Sequence, residues 1–243
     1  MSKKNIYKTQ YIPNSNKINL LELILYFVIG IIVLRLVIFN IFYITAEVNG
    51  ESMLPTLNSQ HYTENGREYN DYVLVSRFAN FSNGDIVVTD GDKLGNSVDL
   101  IKRIIAMPGD ELECKLIGEE WVFFLNGEEL ITEYGFYPLT NSYIKARSTY
   151  QKVTINGITY ERHPFNFFRE AQYDAFIDKD NDGLKETFVI PNGKVFLLGD
   201  NRTNSTDCKI FGAVSIDCIQ GVVVEIFPAG TTHLEFILKT LFF

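Results

Sequence analysis

The sequence predicts a mostly β, antiparallel protein preceded by one N-terminal transmembrane helix. One long apolar stretch lies near the N-terminus, and the rest of the chain consists of short apolar runs separated by Gly, Asn and Asp turns. Many short strands with turn residues between them are typical of antiparallel sheets. The 243 residues, 46% hydrophobic and 21% charged, suffice for one sizeable domain or for a core with an insertion.

The apolar stretch, residues 20–44, is long enough to cross a bilayer, which takes ~20 mostly apolar residues. No Ala-x-Ala cleavage site follows it, so the stretch is interpreted as an uncleaved anchor and not as a signal peptide; a buried core helix is the alternative. Arg35 is expected to snorkel to the headgroups. Four lysines and no acidic residue precede Glu22. The positive-inside rule therefore places residues 1–19 in the cytoplasm and the remainder outside the membrane.

The segment after residue 44 contains several runs with strand character. Turn chemistry at Asn83-Gly84 and Asn126-Gly127 favours tight connections between strands. The predicted strands are residues 72–75, 85–88, 100–105, 121–125, 195–198 and 221–226. The apolar C-terminal tail, residues 231–243, is too short to span a bilayer as a helix. It either packs on the β domain or lies on the membrane surface.

Charge and composition exclude some classes of function. The net charge of −8, with no basic stripe, argues against nucleic acid as a partner. The histidines form neither a His-Glu-x-x-His nor a Ser-His-Asp pattern, and no cysteine has a metal-ligand spacing. We therefore expect neither a metal nor an organic cofactor. Cys114, Cys208 and Cys218 are an odd set; the Cys208–Cys218 spacing permits a disulfide without establishing one.

One acidic segment resembles the first half of a calcium loop. Asp178, Asp180 and Asp182 alternate before a glycine, as calcium ligands do. The twelfth position, where a bidentate Glu belongs, is Val189. An ordinary acidic turn is therefore favoured over a calcium site.

Three polar blocks point to serine chemistry. The first is Gly50-Glu51-Ser52-Met53-Leu54-Pro55-Thr56-Leu57, which directly follows the apolar stretch and its linker. The second contains Lys102, and the third is Gly199-Asp200-Asn201-Arg202-Thr203-Asn204-Ser205-Thr206-Asp207. A serine hydroxyl is a weak nucleophile unless a neighbouring base removes its proton. Taken singly, Ser52 would be interpreted as an ordinary serine in a Pro-containing loop, which is the commoner role of serine.

Lys102 is the candidate base. On a strand it would share one face with Leu100, Ile104 and Ala106. Apolar surroundings disfavour the ammonium form and lower the pKa of a lysine, so that a neutral amine could accept the Ser52 proton. The alternative is a strand lysine that snorkels to solvent.

In this order the three blocks resemble the bacterial type I signal peptidases, membrane-bound serine proteases with a Ser-Lys dyad. The resemblance implies that Ser52 is the nucleophile and Lys102 the general base, and that Ser205 holds the lysine by a hydrogen bond. It further implies a polar network that shapes the site and includes a pair between Asp200 and Arg103. The other members of this network are Asn201, Arg202 and Asp207.

The resemblance also carries expectations about the oxyanion hole and the substrate. Some relatives have a hydroxyl two residues before the nucleophile, where this chain has Gly50, so the main-chain N–H of Ser52 is the expected donor. The substrate would lie as an added strand between the segments that precede Ser52 and Lys102. The residues expected near it are Val48, Met53, Leu57, Asp99 and Ile101.

The chain departs from the family pattern at three positions of the third block. Relatives usually have an acidic residue at Thr203, Ser at Cys208 and Arg at Lys209. The last change replaces a planar, bidentate guanidinium by an amine, which would weaken the pair with Asp207.

The family's architecture implies a catalytic β core formed by residues 45–125 and 188–230, with an inserted, variable second β domain at 126–187. The expected function is a membrane-anchored endopeptidase that removes signal peptides from exported preproteins after small residues, at Ala-x-Ala-like sites. Its partners would be signal peptides and the lipid bilayer. Two alternatives stay open: a related Ser-Lys self-cleaving repressor protease, and a membrane-tethered β module that binds extended peptides without catalysis.

Overall fold

The structure of the protein, a computed structural model, falls into two units, residues 1–41 and 42–243. It describes residues 19–59, 62–64, 67–117, 120–130, 139–140, 151–155, 157–162, 175–181, 184–185, 187–202, 204–232, 235–236 and 239. The described part of the first unit is a helix, and that of the second consists mainly of β-sheets. The fold class predicted from the sequence, mostly antiparallel β with one N-terminal apolar helix, is confirmed.

The N-terminal helix, α1, comprises Leu20–Phe42. It begins with a capping box in which the Asn19 side chain accepts from the Glu22 N–H at 2.8 Å, and the Glu22 carboxylate accepts from the Asn19 N–H at 3.1 Å. None of its side chains is buried within the protein. With 23 residues and a mean hydropathy of 2.6, it has the length and composition needed to cross a membrane.

A seven-stranded antiparallel sheet forms the centre of the second unit. In spatial order it contains β1, β4, β18, β5, β6, β16 and β17. These strands are Tyr43–Glu47, Tyr72–Ser76, Ile219–Phe227, Ile86–Thr89, Leu100–Ala106, Lys194–Leu198 and Val214–Ser215. The runs at 72–75, 85–88, 100–105, 195–198 and 221–226 are thus strands, as predicted. β18 is the last strand of this sheet along the chain, but it lies in the interior of the sheet, between β4 and β5.

Smaller sheets surround this one. A six-stranded sheet contains β7, β8, β9, β10, β13 and β15, which are Glu111–Ile117, Glu120–Leu125, Glu128–Glu129, Leu139–Thr140, Phe176–Ile177 and Thr187–Val189. A three-stranded sheet contains β11, β12 and β14, at Gln151–Ile155, Ile158–Arg162 and Leu184–Lys185. β2 and β3, at Tyr62–Glu64 and Arg67–Tyr69, form a hairpin.

The second sheet contains strands from both parts of the predicted division of the chain. β7, in the predicted catalytic core, pairs with residues 188–189 of β15, which belong to the same predicted core. β8 pairs with β10, which lies in the predicted insertion. The boundary between core and insertion stays a prediction. The Asn126-Gly127 turn does connect β8 to β9, as predicted, and both turn residues have positive φ.

Short helices and the C-terminal segment complete the unit. α2 and α3 are Gly91–Leu94 and Cys208–Phe211. The Phe236 ring packs against Phe227 of β18, with the two ring centroids 4.8 Å apart. Lys239 Nζ forms an ion pair with Glu225 Oε1 at 3.1 Å. Of the two positions expected for the C-terminal tail, its described residues lie against the β domain.

The core that supports the site lies on both sides of β5 and β6. One buried cluster includes Ile104, Ala106, Phe196 and Leu198. The second cluster joins side chains of β4 and β5 to three residues of the serine-bearing segment: Val48, Met53 and Leu57. Burial of these three apolar side chains fixes that segment on the sheet.

Candidate active site

The segment that carries Ser52 is a tight turn with a buried underside. The Leu54 N–H donates to the Glu51 carbonyl at 3.1 Å, and the Leu57 N–H donates to the Met53 carbonyl at 3.0 Å. The side chains of Met53 and Leu57 are 1% and 0% exposed, whereas Ser52 is half-buried. Apolar residues on either side of the serine therefore anchor the turn and leave the serine at its surface.

Lys102 contacts the serine hydroxyl directly. Its Nζ lies 2.8 Å from Ser52 Oγ and 2.8 Å from the carbonyl oxygen of Ile101. The lysine is 4% exposed, on β6 beside the fully buried Ile104 and Ala106. Burial lowers the pKa of Lys102 to about 8, although the carboxylates of the third block act in the opposite direction. A substantial fraction of this amine is therefore neutral near physiological pH and able to accept a proton.

Asn201, in the third block, holds the backbone of the serine. Its N–H donates to the Ser52 carbonyl at 3.0 Å, and its Nδ2 donates to the Glu51 carbonyl at 3.1 Å. The N–H of Ser52 makes no hydrogen bond to any described residue. It is therefore available to an incoming acceptor. Gly50 has φ +87°, a left-handed backbone that side chains rarely adopt, so a hydroxyl residue there would be strained.

The Asp200 carboxylate accepts hydrogen bonds from β6 and from the serine-bearing turn. Arg103 Nε and Nη2 donate to its two carboxylate oxygens at 2.8 and 2.6 Å, and Thr56 Oγ1 donates to Oδ2 at 2.5 Å. The predicted pair of Asp200 with Arg103 is thus present, and it is bidentate and buried. Arg103 also donates to the Gly84 carbonyl at 2.6 Å. The sequence reasoning did not identify Thr56 as a partner, although the residue lies within the first block.

Asp207 forms a second buried pair. Its carboxylate accepts from Lys209 Nζ at 2.7 Å and from the Gly199 N–H at 3.0 Å. It also caps α3 through the Lys209 N–H. The amine that stands where relatives have arginine therefore keeps the ion pair, with one direct contact in place of a fork.

The hydrogen bond predicted between Ser205 and Lys102 is not present. Within the described part of the chain, Ser205 Oγ is buried without a hydrogen-bond partner, because Lys102 Nζ turns to Ser52 and to the carbonyl of Ile101. Ser205 lies close to Gly199 instead: a Cβ at Gly199 would be 2.2 Å from Ser205 Oγ and 2.4 Å from the Ser52 carbonyl oxygen. The third block thus packs directly on the nucleophile's backbone, at a glycine the sequence reasoning did not single out.

Arg202 is 5% exposed, and its Nε and Nη2 have no hydrogen-bond partner among the residues that the structure describes. Burial lowers the pKa of this guanidinium, and the charges of Asp200 and Asp207 oppose that change. The residue is therefore placed in the polar network by charge more than by hydrogen bonds.

The residues expected near the substrate occupy two kinds of position. Val48, Met53 and Leu57 are buried and support the turn from below. Asp99 accepts hydrogen bonds from the Gly91 N–H at 2.9 Å and from Gln220 at 3.0 Å, and Ile101 is half-buried. Contact of these residues with a substrate stays a prediction.

The sequence also suggested a possible disulfide and a possible calcium loop, neither of which belongs to the serine–lysine site. Cys208 and Cys218 are free and buried, so no disulfide joins them. Burial raises the pKa of both thiols, that of Cys218 to about 11. Asp182, one of the three residues of the calcium hypothesis, is outside the described residues, so that hypothesis stays untested.

Comparison with known proteins gives the family. Residues 20–227 match the family described as "Signal peptidase, peptidase S26". The chain belongs to this family. It is 29% identical to signal peptidase I S of Bacillus subtilis (strain 168) over 181 residues, which is 73% of this chain and 72% of that protein. It is also 29% identical to signal peptidase I of Streptococcus pneumoniae serotype 4 over 186 residues, 74% of this chain and 79% of the relative.

Other relatives align over less of their length. Signal peptidase I of Rickettsia akari is 35% identical over 130 residues, 52% of this chain and 44% of that protein. A crystal structure of a signal peptidase I from Enterococcus faecalis V583 shares 22% identity, covers 60% of this chain and 98% of its own, and gives a TM-score of 0.34. That score is too low to support an argument about the fold. The resemblance predicted from the sequence is confirmed, and with it the assignment to the serine endopeptidases, a class of hydrolases.

Proposed function

We propose that this signal peptidase family member is a membrane-anchored type I signal peptidase with Ser52 as nucleophile and Lys102 as general base. The observation that carries the proposal is the 2.8 Å contact between Lys102 Nζ and Ser52 Oγ, made by an amine whose pKa is lowered to about 8. A nucleophile within hydrogen-bond reach of a base is the arrangement that covalent catalysis requires.

The reaction proceeds through an acyl-enzyme. Neutral Lys102 takes the hydroxyl proton as Ser52 Oγ attacks the carbonyl carbon of the scissile peptide bond. The main-chain N–H of Ser52 donates to the developing oxyanion. Lys102 then gives the proton to the leaving amine as the C–N bond breaks. A water molecule, deprotonated by the same lysine, attacks the ester and releases the carboxylate product and free Ser52.

The polar network positions the two reacting groups. Asn201 holds the Ser52 carbonyl, and the Asp200–Arg103 pair fixes the residue next to Lys102. Asp207 accepts from the Gly199 N–H, Ser205 lies close to Gly199, and Arg202 is buried in the same block. We assign these residues to positioning, because none of them touches both Ser52 Oγ and Lys102 Nζ.

The substrates we propose are the N-terminal signal peptides of exported preproteins, cleaved after small residues at Ala-x-Ala-like sites. The extended peptide lies between the segments before Ser52 and Lys102, next to Val48 and Ile101. Residues 20–44 anchor the enzyme in the cell membrane, with the N-terminus in the cytoplasm and the β unit on the opposite side. The lysines before the helix and its mean hydropathy of 2.6 support this orientation and this anchor.

The test is cleavage of a preprotein with an Ala-x-Ala site by the purified full chain in detergent, with the new N-terminus identified by mass spectrometry. We expect cleavage directly after the second alanine. Ser52→Ala and Lys102→Ala should each lower the rate by at least about a thousandfold, as loss of a nucleophile or base does.

Lys93→Ala is the matched control, because the Lys93 side chain is 56% exposed; among the described residues it donates to the Asp217 carbonyl and forms an ion pair with Asp90 at 3.8 Å. It should retain the wild-type rate. Unchanged cleavage by the Ser52 or Lys102 variant would refute the mechanism. A folded wild-type protein that bound the preprotein and left it intact would favour the peptide-binding module.

A further inference from the structure

The turn that carries Ser52 is closed at its base by one side chain. Asn58 Nδ2 donates to the Val48 carbonyl at 2.7 Å and to the Gly50 carbonyl at 3.2 Å. Both acceptors precede Ser52 in the chain, whereas Asn58 follows it. The amide group therefore ties together the two ends of the segment 48–58, with the serine between them.

Asn58 is in turn fixed to the central sheet through Asp71. The Asp71 N–H donates to Asn58 Oδ1 at 2.8 Å, and the Asn58 N–H donates to Asp71 Oδ2 at 2.7 Å. Asp71 is 4% exposed, immediately before β4, and its carbonyl accepts from the Val48 N–H at 2.9 Å. Its other carboxylate oxygen accepts from the Ala229 N–H at 2.8 Å, just after β18. The closure is thus attached to the two neighbouring strands at the centre of the unit.

The covalent chain cannot supply this attachment. Between Asn58 and Asp71 lie residues 59–70, which include the β2–β3 hairpin. A connection of this length does not by itself hold the end of the turn near β4. Bringing its two ends together costs conformational entropy, so other contacts must keep them together. The reciprocal hydrogen bonds of Asn58 and Asp71 bypass the hairpin.

Asparagine suits position 58 both in its backbone conformation and in the hydrogen bonds that its side chain makes. Asn58 has φ +56°, a left-handed conformation that Asn adopts more readily than most side chains do. Its Nδ2 has two hydrogens and its Oδ1 accepts, and all three capacities are used here. Aspartate could replace the acceptor and not the donors, and alanine could replace neither.

We propose that Asn58 is a positioning residue for catalysis: it closes the turn and thereby holds Ser52 Oγ against Lys102. This inference rests on the proposed role of Ser52 as nucleophile. When the closure is lost, the turn moves on its buried side chains, and Ser52 Oγ leaves the 2.8 Å contact with Lys102 Nζ. Water then reaches the amine, and its pKa rises toward the ordinary lysine value.

The test is Asn58→Gly in the full chain in detergent, since glycine keeps the left-handed backbone and removes only the side chain. On a peptide with an Ala-x-Ala site, we expect kcat to fall at least about tenfold with KM within about twofold of wild type. The midpoint of the rate's rise with pH should also move to higher pH. A merely structural role would lower the amount of folded enzyme and leave this midpoint where it is.

Asn126→Gly is the matched control. Asn126 has a similar left-handed backbone, with φ +53°, but its Nδ2 donates to Asp110 at 2.9 Å and its Oδ1 accepts from the Glu111 N–H at 2.9 Å, and neither partner belongs to the segment 48–58. This variant should keep the wild-type kcat and midpoint. An Asn58→Gly enzyme with unchanged kcat and an unchanged pH midpoint would overturn the proposal.

A second measurement separates this proposal from the proposed function. If the wild-type chain cleaves no peptide, the proposed reaction is wrong. Amide hydrogen exchange of residues 49–57 then tests, independently of activity, whether Asn58 closes the turn. Faster amide exchange in Asn58→Gly than in wild type and Asn126→Gly supports the closure. Equal exchange in all three proteins overturns it.

Discussion

At the scale of single residues, the site combines a half-buried nucleophile with a buried base. The strand pattern around Lys102 predicted apolar neighbours, and Ile104 and Ala106 are fully buried beside it. This much follows from alternation along a strand. The sequence could not show that the lysine's second hydrogen bond goes to the Ile101 carbonyl instead of Ser205. That choice depends on side-chain rotamers, which spacing does not determine.

Gly199 provides a prediction at this scale. Alanine there would place its Cβ 2.4 Å from the Ser52 carbonyl oxygen, so the nucleophile's backbone must move. A displacement of about 1 Å at a reacting group can cost about a hundredfold in rate. We expect Gly199→Ala to lower kcat by about this factor, measured on the peptide substrate with circular dichroism as a check of folding.

Gly221→Ala is the control for this change. Its Cβ would lie 2.3 Å from the Ser76 carbonyl oxygen, which is an equally severe backbone clash at a different place, between β18 and β4. The protein should lose stability, but its folded fraction should retain the wild-type kcat. If Gly199→Ala kept a rate within about threefold of wild type, the close packing of the third block on Ser52 would not matter for catalysis.

At the scale of elements, the site depends on how three segments meet. Asp200, after β16, accepts from Arg103 on β6 and from Thr56 in the serine-bearing turn. The individual strands could be predicted because each has its own apolar pattern and turn residues. The link through Thr56 joins residues that are far apart in the chain, so no local pattern indicates it.

The buried pair gives the prediction for this scale. Asp200 is 0% exposed and Arg103 4% exposed. Asp200→Asn leaves the guanidinium without its counter-charge, and breaking a buried pair in this way costs about 3–5 kcal/mol of unfolding free energy. Urea denaturation of both proteins measures this difference.

Asp90→Asn is the comparison for an exposed pair. Asp90 lies 3.8 Å from Lys93 and caps α2, and asparagine caps a helix equally well. The loss should be below about 1 kcal/mol, as for other surface ion pairs. Equal losses in the two variants would mean that the Asp200–Arg103 pair contributes no more than a surface contact.

At the scale of the whole molecule, the fold class could be predicted, whereas the division of the chain into core and insertion stays a prediction. The apolar helix and the many short strands follow from hydrophobic patterning, which is a local property. β7, at Glu111–Ile117, pairs with β15, at Thr187–Val189, across the predicted insertion. Strand pairing over such a separation is fixed by packing and register, which the sequence alone does not reveal.

The central claim is that one buried, neutral lysine activates one serine. The rate kcat/KM for cleavage of the Ala-x-Ala peptide, measured as a function of pH, tests this claim most directly, because it reports the pKa of the free enzyme's base. Since burial lowers the pKa of Lys102 to about 8, the rate should rise with pH and reach half its maximum near pH 8. A rate that stayed level or fell between about pH 6 and about pH 9 would contradict the account.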